Sequence, residues 1–253
     1  MAARGSDQRT PPVRPPRTPP VRPPRIVGGV DFSFMHAAHD AFVRDLARLA
    51  AAATAGRAAE PSVRAGWATF SRQLSVHHTA EDTALWPALR AKVSRAGEIA
   101  VLDDMAAEHA QIDPLLAQID RTLTAATDRA QAANHDALTA SIDELRRLLT
   151  SHLRHEEDKA LPLVAAYLGT KGWAAFGRSV ARIHGLSGTA EFFPWMLDGT
   201  DPATRKQLLA LLPPPVRLVH RTLWAPRYAR AARWQSSPTV PPAPGGSATD
   251  RVS

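Results

Sequence analysis

The 253-residue chain contains no cysteine. Disulfides, iron–sulfur clusters and thiolate-bound zinc are therefore excluded at the outset. Long hydrophobic runs are missing too: no stretch of about 18 apolar residues occurs, so no transmembrane helix is expected. Residues 1–25 lack the apolar segment of a secretory signal. Alternation of apolar and polar residues with period two is nowhere sustained, which argues against a sheet. On these absences the chain reads as soluble and cytoplasmic, without membrane insertion.

Acidic residues are scarce at both ends. The net charge is +7 and the pI about 10.6, values that suggest an anionic partner until the charge is located. Residues 1–25 and 213–253 each carry six Arg against one Asp, so each end contributes +5 and residues 26–212 are left at −3. The positive charge sits in tails and on no recognisable reading element, so no specific nucleic-acid partner is expected. The first tail contains a perfect repeat, TPPVRPPR at Thr10–Arg17 and again at Thr18–Arg25. Such a tract cannot build a core and should be extended and disordered. Ser, Pro and Gly dominate 236–253, which should be disordered as well.

What lies between is helical in pattern. Gly and Pro punctuation marks four long helices, roughly 31–54, 61–93, 97–126 and 135–168. Shorter pieces follow at about 172–184, 188–198, 202–212 and 214–230, with Asp201-Pro202 as a capped helix start. This later region holds four of the six Trp, which need an apolar surface to pack on. The expected organisation is all-α: a tail at 1–30, an antiparallel up-down four-helix bundle at 31–169, a helical extension at 170–235 packing on the bundle, and a tail at 236–253.

The apolar stripes carry the chemistry. Along the first helix the 3-4 spacing runs Phe32, Met35, His39, Phe42, Leu46, Leu49. Along the second it runs Trp67, Phe70, Leu74, His77, Glu81. The third gives Leu102, Met105, His109, Ile112, Leu116, Ile119. The fourth gives Leu138, Ile142, Leu145, Leu149, His152, Glu156. A 3-4 repeat is the core seam of a bundle helix. Each helix thus buries a His, and two bury a Glu one turn after it. Buried carboxylates cost several kcal/mol unless paired or bound to a cation, and no Lys or Arg shares the stripe near Glu81 or Glu156. Imidazoles and carboxylates converging in one layer are a set of N and O metal donors. By the same phase, His36 falls on a flank, His78 and His135 point to solvent, His155 faces the site edge, and His184 and His220 are structural. Pro87, Pro114 and Pro162 follow Glu81, His109 and Glu156 by six, five and six residues and are expected to kink their helices, either as plain bends at the bundle's end or as kinks that set the width of the metal layer or an entry path.

These segments resemble the hemerythrin-like HHE cation-binding family. The matching motifs are HDAF at His39, HHTAED at His77–Asp82 followed by LWPAL, EHAQIDPLL around His109, and HLRHEED at His152–Asp158 followed by LPLV. The resemblance covers about 31–168, and the region from Trp173 to about Trp234 looks like an extension carried by some bacterial members. It implies a carboxylate-bridged pair of non-haem irons, with His39, His77, His109 and His152 as nitrogen ligands and Glu81 and Glu156 as bridges. Hemerythrin proper has a second His one turn after the first on its third helix. Here that position is Asp113, and Asp113, His36, His155 or Glu157 is left to complete the set. The implied function is binding of O2, NO or peroxide at an open iron position, for sensing, storage or detoxification. The alternatives are a peroxide-consuming di-iron enzyme, or an interaction protein whose metal is structural.

Overall fold

The computed structural model describes residues 25–125 and 131–235. Its long helices are α1 (Ser33–Thr54), α2 (Pro61–Ala80), α4 (Ala96–Ala125), α5 (Gln131–His155) and α7 (Gly169–Leu197). Shorter helices are α3 (Trp86–Arg90), α6 (Leu161–Leu163), α8 (Pro202–Ala210), α9 (Pro214–Val219) and α10 (Ala225–Ala229). The fold is all-α, and α1, α2, α4 and α5 form the expected four-helix bundle. No helix among the described residues is long and apolar enough to cross a membrane.

Local chemistry sets the helix starts. Asp31 Oδ1 accepts the Ser33 N–H at 2.8 Å ahead of α1, and Pro61 opens α2 at its first turn. Asp201 caps α8 by accepting the N–H groups of Ala203 and Thr204, each at 3.0 Å.

The bundle core is divided. One apolar cluster holds Phe42, Leu46, Phe70, Leu74, Ile112, Ile119, Leu145 and Leu149; the other holds Phe32, Met35, Leu85, Leu89, Met105, Leu161 and Val164. Following α1 from Met35 to Phe42 leads from the second cluster to the first. Following α2 from Leu74 toward Leu85 leads back, α4 returns from Met105 to Ile112, and α5 reverses again from Leu149 toward Ala160. This is the up-down-up-down order. On each helix the His and Glu residues fall at the crossing between the clusters.

Three prolines in the helices accompany widened turns. A proline removes one N–H and crowds the carbonyl four residues back. The chain answers by widening into π-helical turns at Glu81–Leu85, Glu156–Ala160 and His220–Trp224, each beginning six residues before Pro87, Pro162 or Pro226. The N–H groups of Trp86, Leu161 and Ala225 then reach back five residues to the carbonyls of Glu81, Glu156 and His220. Pro114 lies within α4 without such a turn. A further π-helical turn, Val164–Leu168, has no proline and ends at Gly169, whose φ of 58° turns the chain.

A small antiparallel strand pair, β1 (Ile26–Val27) and β2 (Val30–Asp31), precedes α1. Gly28 and Gly29, at φ 55° and 80°, make the two-residue turn that this pairing needs. The boundary expected between residues 30 and 31 therefore falls inside a hairpin that the short run gave no room to detect. Residues 1–24 and 236–253, read as tails, lie outside the described residues.

The later helices pack on the bundle. α7 breaks at Gly185 (φ 62°, ψ −173°), between the two pieces expected there. Its Trp195, Met196 and Leu197 join the first cluster with Leu208 of α8. Trp195 Nε1 donates to the buried Asp45 Oδ2 at 2.8 Å, while Arg44 and Arg48 bind Asp45 Oδ1. The Trp234 ring lies against Gly66, where an added Cβ would come within 2.2 Å of it. At the other end Trp173 meets Phe32 edge-on at 4.7 Å and donates Nε1–H to the Asp31 carbonyl.

Candidate metal centre

The crossing layer brings together all six residues singled out in the sequence. α1 supplies His39, α2 supplies His77, and the π-helical turn after it supplies Glu81. α4 supplies His109, α5 His152, and the next π-helical turn Glu156. Glu81, Glu156 and His152 are fully buried, and His39 and His109 nearly so. His39 Nε2 lies 3.1 Å from Glu156 Oε2, and His77 Nε2 lies 3.3 Å from Glu81 Oε1. His109 Nε2 lies 3.6 Å from Glu81 Oε2 and 3.2 Å from His152 Nε2.

The His109–His152 contact has hydrogen-bonding geometry, but the carboxylate contacts do not. Both oxygens of Glu81, both oxygens of Glu156, His39 Nε2 and His77 Nε2 have no hydrogen-bond partner among the described residues. Buried polar atoms left in that state cost about 1–3 kcal/mol each, and more when charged. Donor atoms that crowd one space without satisfying each other fit a cation between them. Three sets of side chains place one ligand atom apiece within 4.8 Å of each other: His39, His77 and Glu156; Glu81, His152 and Glu156; and His78, His109 and His152. The two glutamates thus lie between imidazoles from opposite sides of the bundle.

The other face of the rings is tied down by carboxylates from neighbouring helices. His39 Nδ1 meets Glu157 Oε1 at 2.8 Å, His109 Nδ1 meets Asp82 Oδ1 at 2.9 Å, and His152 Nδ1 meets Glu108 Oε2 at 2.8 Å. On binding a cation these rings would keep the proton on Nδ1, toward the acid, and present the Nε2 lone pair inward. Each of these acids sits beside a stripe residue in the sequence: Asp82 after Glu81, Glu157 after Glu156, Glu108 before His109. That adjacency was the available signal for Asp82 and Glu108, which the stripe alone passes over.

One expectation is corrected. His78 does not point to solvent: it is 3% exposed, stacked on His109 with centroids 3.9 Å apart, and edge-on to His152. His36, on the flank of the stripe, is buried as well, at 1% exposed, with Nδ1 3.1 Å from Glu157 Oε1. A bundle helix faces two neighbours, so the buried arc is wide enough to take in the position beside the seam. Of the residues left to complete the set, His155 bonds Glu108 at 2.9 Å and the Asp113 side chain is largely exposed. His135 is partly exposed, and His184 and His220 lie in the later helices.

The charges in the layer oppose each other. Burial disfavours the charged ring of His39, yet Glu156 and Glu157 outweigh it and push its pKa up to about 9. Burial, then the like charge of Glu156, holds the Glu81 carboxyl well above the usual range. Burial would also raise Glu156, but His39 keeps it below its ordinary value. Burial drives His77 down, with His39 and His78 adding to the effect, and drives His78 down to about 4. Without a cation the layer is therefore a mixture of protons and charges held out of water.

A four-helix bundle with a buried layer of imidazoles and unpartnered carboxylates is a protein built to hold metal cations. The model of the hemerythrin HHE cation-binding domain matches residues 30–164, more than half of the chain. The chain belongs to that family. Comparison with curated proteins gives no match, and comparison with solved structures gives none either.

Proposed function

We propose that the chain is a non-haem di-iron protein of the cytoplasm. In this reading His39, His77, His109 and His152 would be the nitrogen ligands, and Glu81 and Glu156 the carboxylates shared by the two irons. Iron held there would supply an open coordination place for a small ligand, O2, NO or peroxide, used in sensing, storage or detoxification. The observation that carries the proposal is the pair of fully buried glutamates whose four oxygens have no hydrogen-bond partner among the described residues. The N/O donor set suits iron as it suits zinc, copper and nickel, and the choice of iron among them rests on the family resemblance.

The chain's own residues prepare the place. Glu81 and Glu156 offset cationic charge in the dry layer. Asp82, Glu108 and Glu157 orient three rings through Nδ1 and keep their protons on the outer side. Phe42 packs on His77 with centroids 5.2 Å apart, and Leu74, Met105, Ile112 and Leu149 close the layer above and below, so bulk water is excluded.

Anaerobic reconstitution with Fe(II), followed by metal analysis and Mössbauer spectroscopy after exposure to air, tests the reading. Two irons per chain, coupled in the ferric state, are expected. A folded protein that retains no stoichiometric iron overturns it. Peroxide consumption by the loaded protein, lost in His77→Ala, would assign the enzymatic alternative; a reversible ligand spectrum without turnover would assign binding.

A further inference from the structure

The donor layer contains one imidazole more than the set proposed above, and it lies where the family pattern is short of one. α4 carries Asp113 one turn after His109, at the place of the missing His, and the Asp113 side chain is 64% exposed and outside the layer. Directly across from it, on α2, His78 is 3% exposed, and neither ring nitrogen has a hydrogen-bond partner among the described residues. The nearest acid, Asp113 Oδ1, is 3.6 Å from Nδ1, beyond hydrogen-bonding distance. A buried ring with two unmet nitrogens is a costly thing to keep in a core. His78 also brings a ligand atom within 4.8 Å of those of His109 and His152; its ring stacks nearly parallel on His109, so holding one ion with both asks the His78 ring to turn out of that stack.

We infer that His78, from the helix opposite, is the third imidazole ligand of the metal ion bound by His109 and His152. It replaces the residue that Asp113 displaces. This inference rests on the two-ion reading of the layer. It assigns the two half-sites different neighbours: His39 and His77 on one side, and His78, His109 and His152 on the other.

A second observation sets a surface opening beside that half-site. His78 forms part of a pocket of about 350 Å³ between α2 and α4, lined also by Ser75, Thr79, Asp82 and Asp113. The ring therefore separates the buried layer from an acidic opening. A cation reaching the layer from that opening meets His78 first, and the acids beside it attract positive charge.

The test is an anaerobic Co(II) titration of the full chain, followed by the visible bands that report coordination. The wild-type chain should take two ions. His78→Ala should keep one at wild-type affinity and weaken the other beyond the ~10–100-fold expected from losing a merely outer partner. His78→Phe, which refills the core, should behave in the same way and shows that packing is not the cause. The double change His78→Ala with Asp113→His should restore the second ion, because position 113 lies one turn after His109 and borders the space that the lost ring vacates. A purely structural His78 would not be rescued from α4. Two ions bound by His78→Ala with wild-type affinity and spectrum would overturn the inference while leaving the di-iron reading intact. A wild-type chain that takes no Co(II) and no Fe(II) would overturn both.

Discussion

Replacing Glu81 by Met should make the metal-free protein more stable and the metal-treated protein less so. Glu81 is 0% exposed, both its oxygens lack partners, and Glu156 lies close enough to raise its pKa. Met has similar length, no polar atom to strand, and enough freedom to fill the space. A buried polar group without a hydrogen-bond partner costs ~1–3 kcal/mol, a cost that Met does not carry. Taking about 2 kcal/mol, and ~2–4 °C per kcal/mol for a domain of this size, the chelated variant should melt ~4–8 °C above the chelated wild type. Cation at 100 times its dissociation constant stabilises the native state by about 2.7 kcal/mol, so adding Fe(II) should raise the wild type past the variant. The variant should not respond. Differential scanning calorimetry under nitrogen, with and without chelator, reads all four values. If the chelated variant melts below the chelated wild type, or gains as much from Fe(II), the carboxylate is structural and the argument from burial fails.

Other expectations follow from the same layer and from its surroundings. His39 is raised in the fold to about 9 against an ordinary 6.5, so its contribution is complete below pH 6.5 and is lost as pH rises through about 9. Chelated protein should therefore lose stability on the order of 3 kcal/mol across that window, and Fe(II) uptake at pH 7 should release protons into a weakly buffered solution. Proton release absent at pH 7 would contradict the raised His39. Glu157→Gln, Asp82→Asn and Glu108→Gln should each weaken Co(II) binding ~10–100-fold by calorimetry while leaving the helical circular dichroism unchanged. Trp195→Phe removes one donor to the buried Asp45 and should lower stability by ~1.5–3 kcal/mol in urea. Arg44 and Arg48 still hold that carboxylate, so metal affinity should stay at the wild-type level.

The sequence displayed the layer because burial in a bundle follows a simple period. His39, His77, His109 and His152 interrupt apolar stripes at positions where only a core residue fits, and Glu81 and Glu156 continue two of them. The break in α7 was legible from Gly185 and the start of α8 from Asp201-Pro202. What the period hides is the second neighbour of each helix. His78 is one residue off the seam of α2 and so reads as outward, yet α4 covers that side. Glu108 is likewise one residue off the seam of α4, and its partner His152 is 44 residues away. The π-helical turns were half legible: Pro87 and Pro162 are plain to see, but a sixth-residue spacing and a fifth-residue spacing look alike until the carbonyls they crowd are placed. The hairpin at Ile26–Asp31 was too short to show a period at all.

The layer cuts the greasy interior of the bundle into two separate halves, each with contributions from all four helices. Among the described residues the helices run through both halves, but the apolar packing does not, so ions in the layer would act as a rivet between two cushions and add to the cooperativity of the whole. Stripped of cations, amides at the seam should exchange with deuterium sooner than those in either cushion. Refilled, the molecule should open as one body.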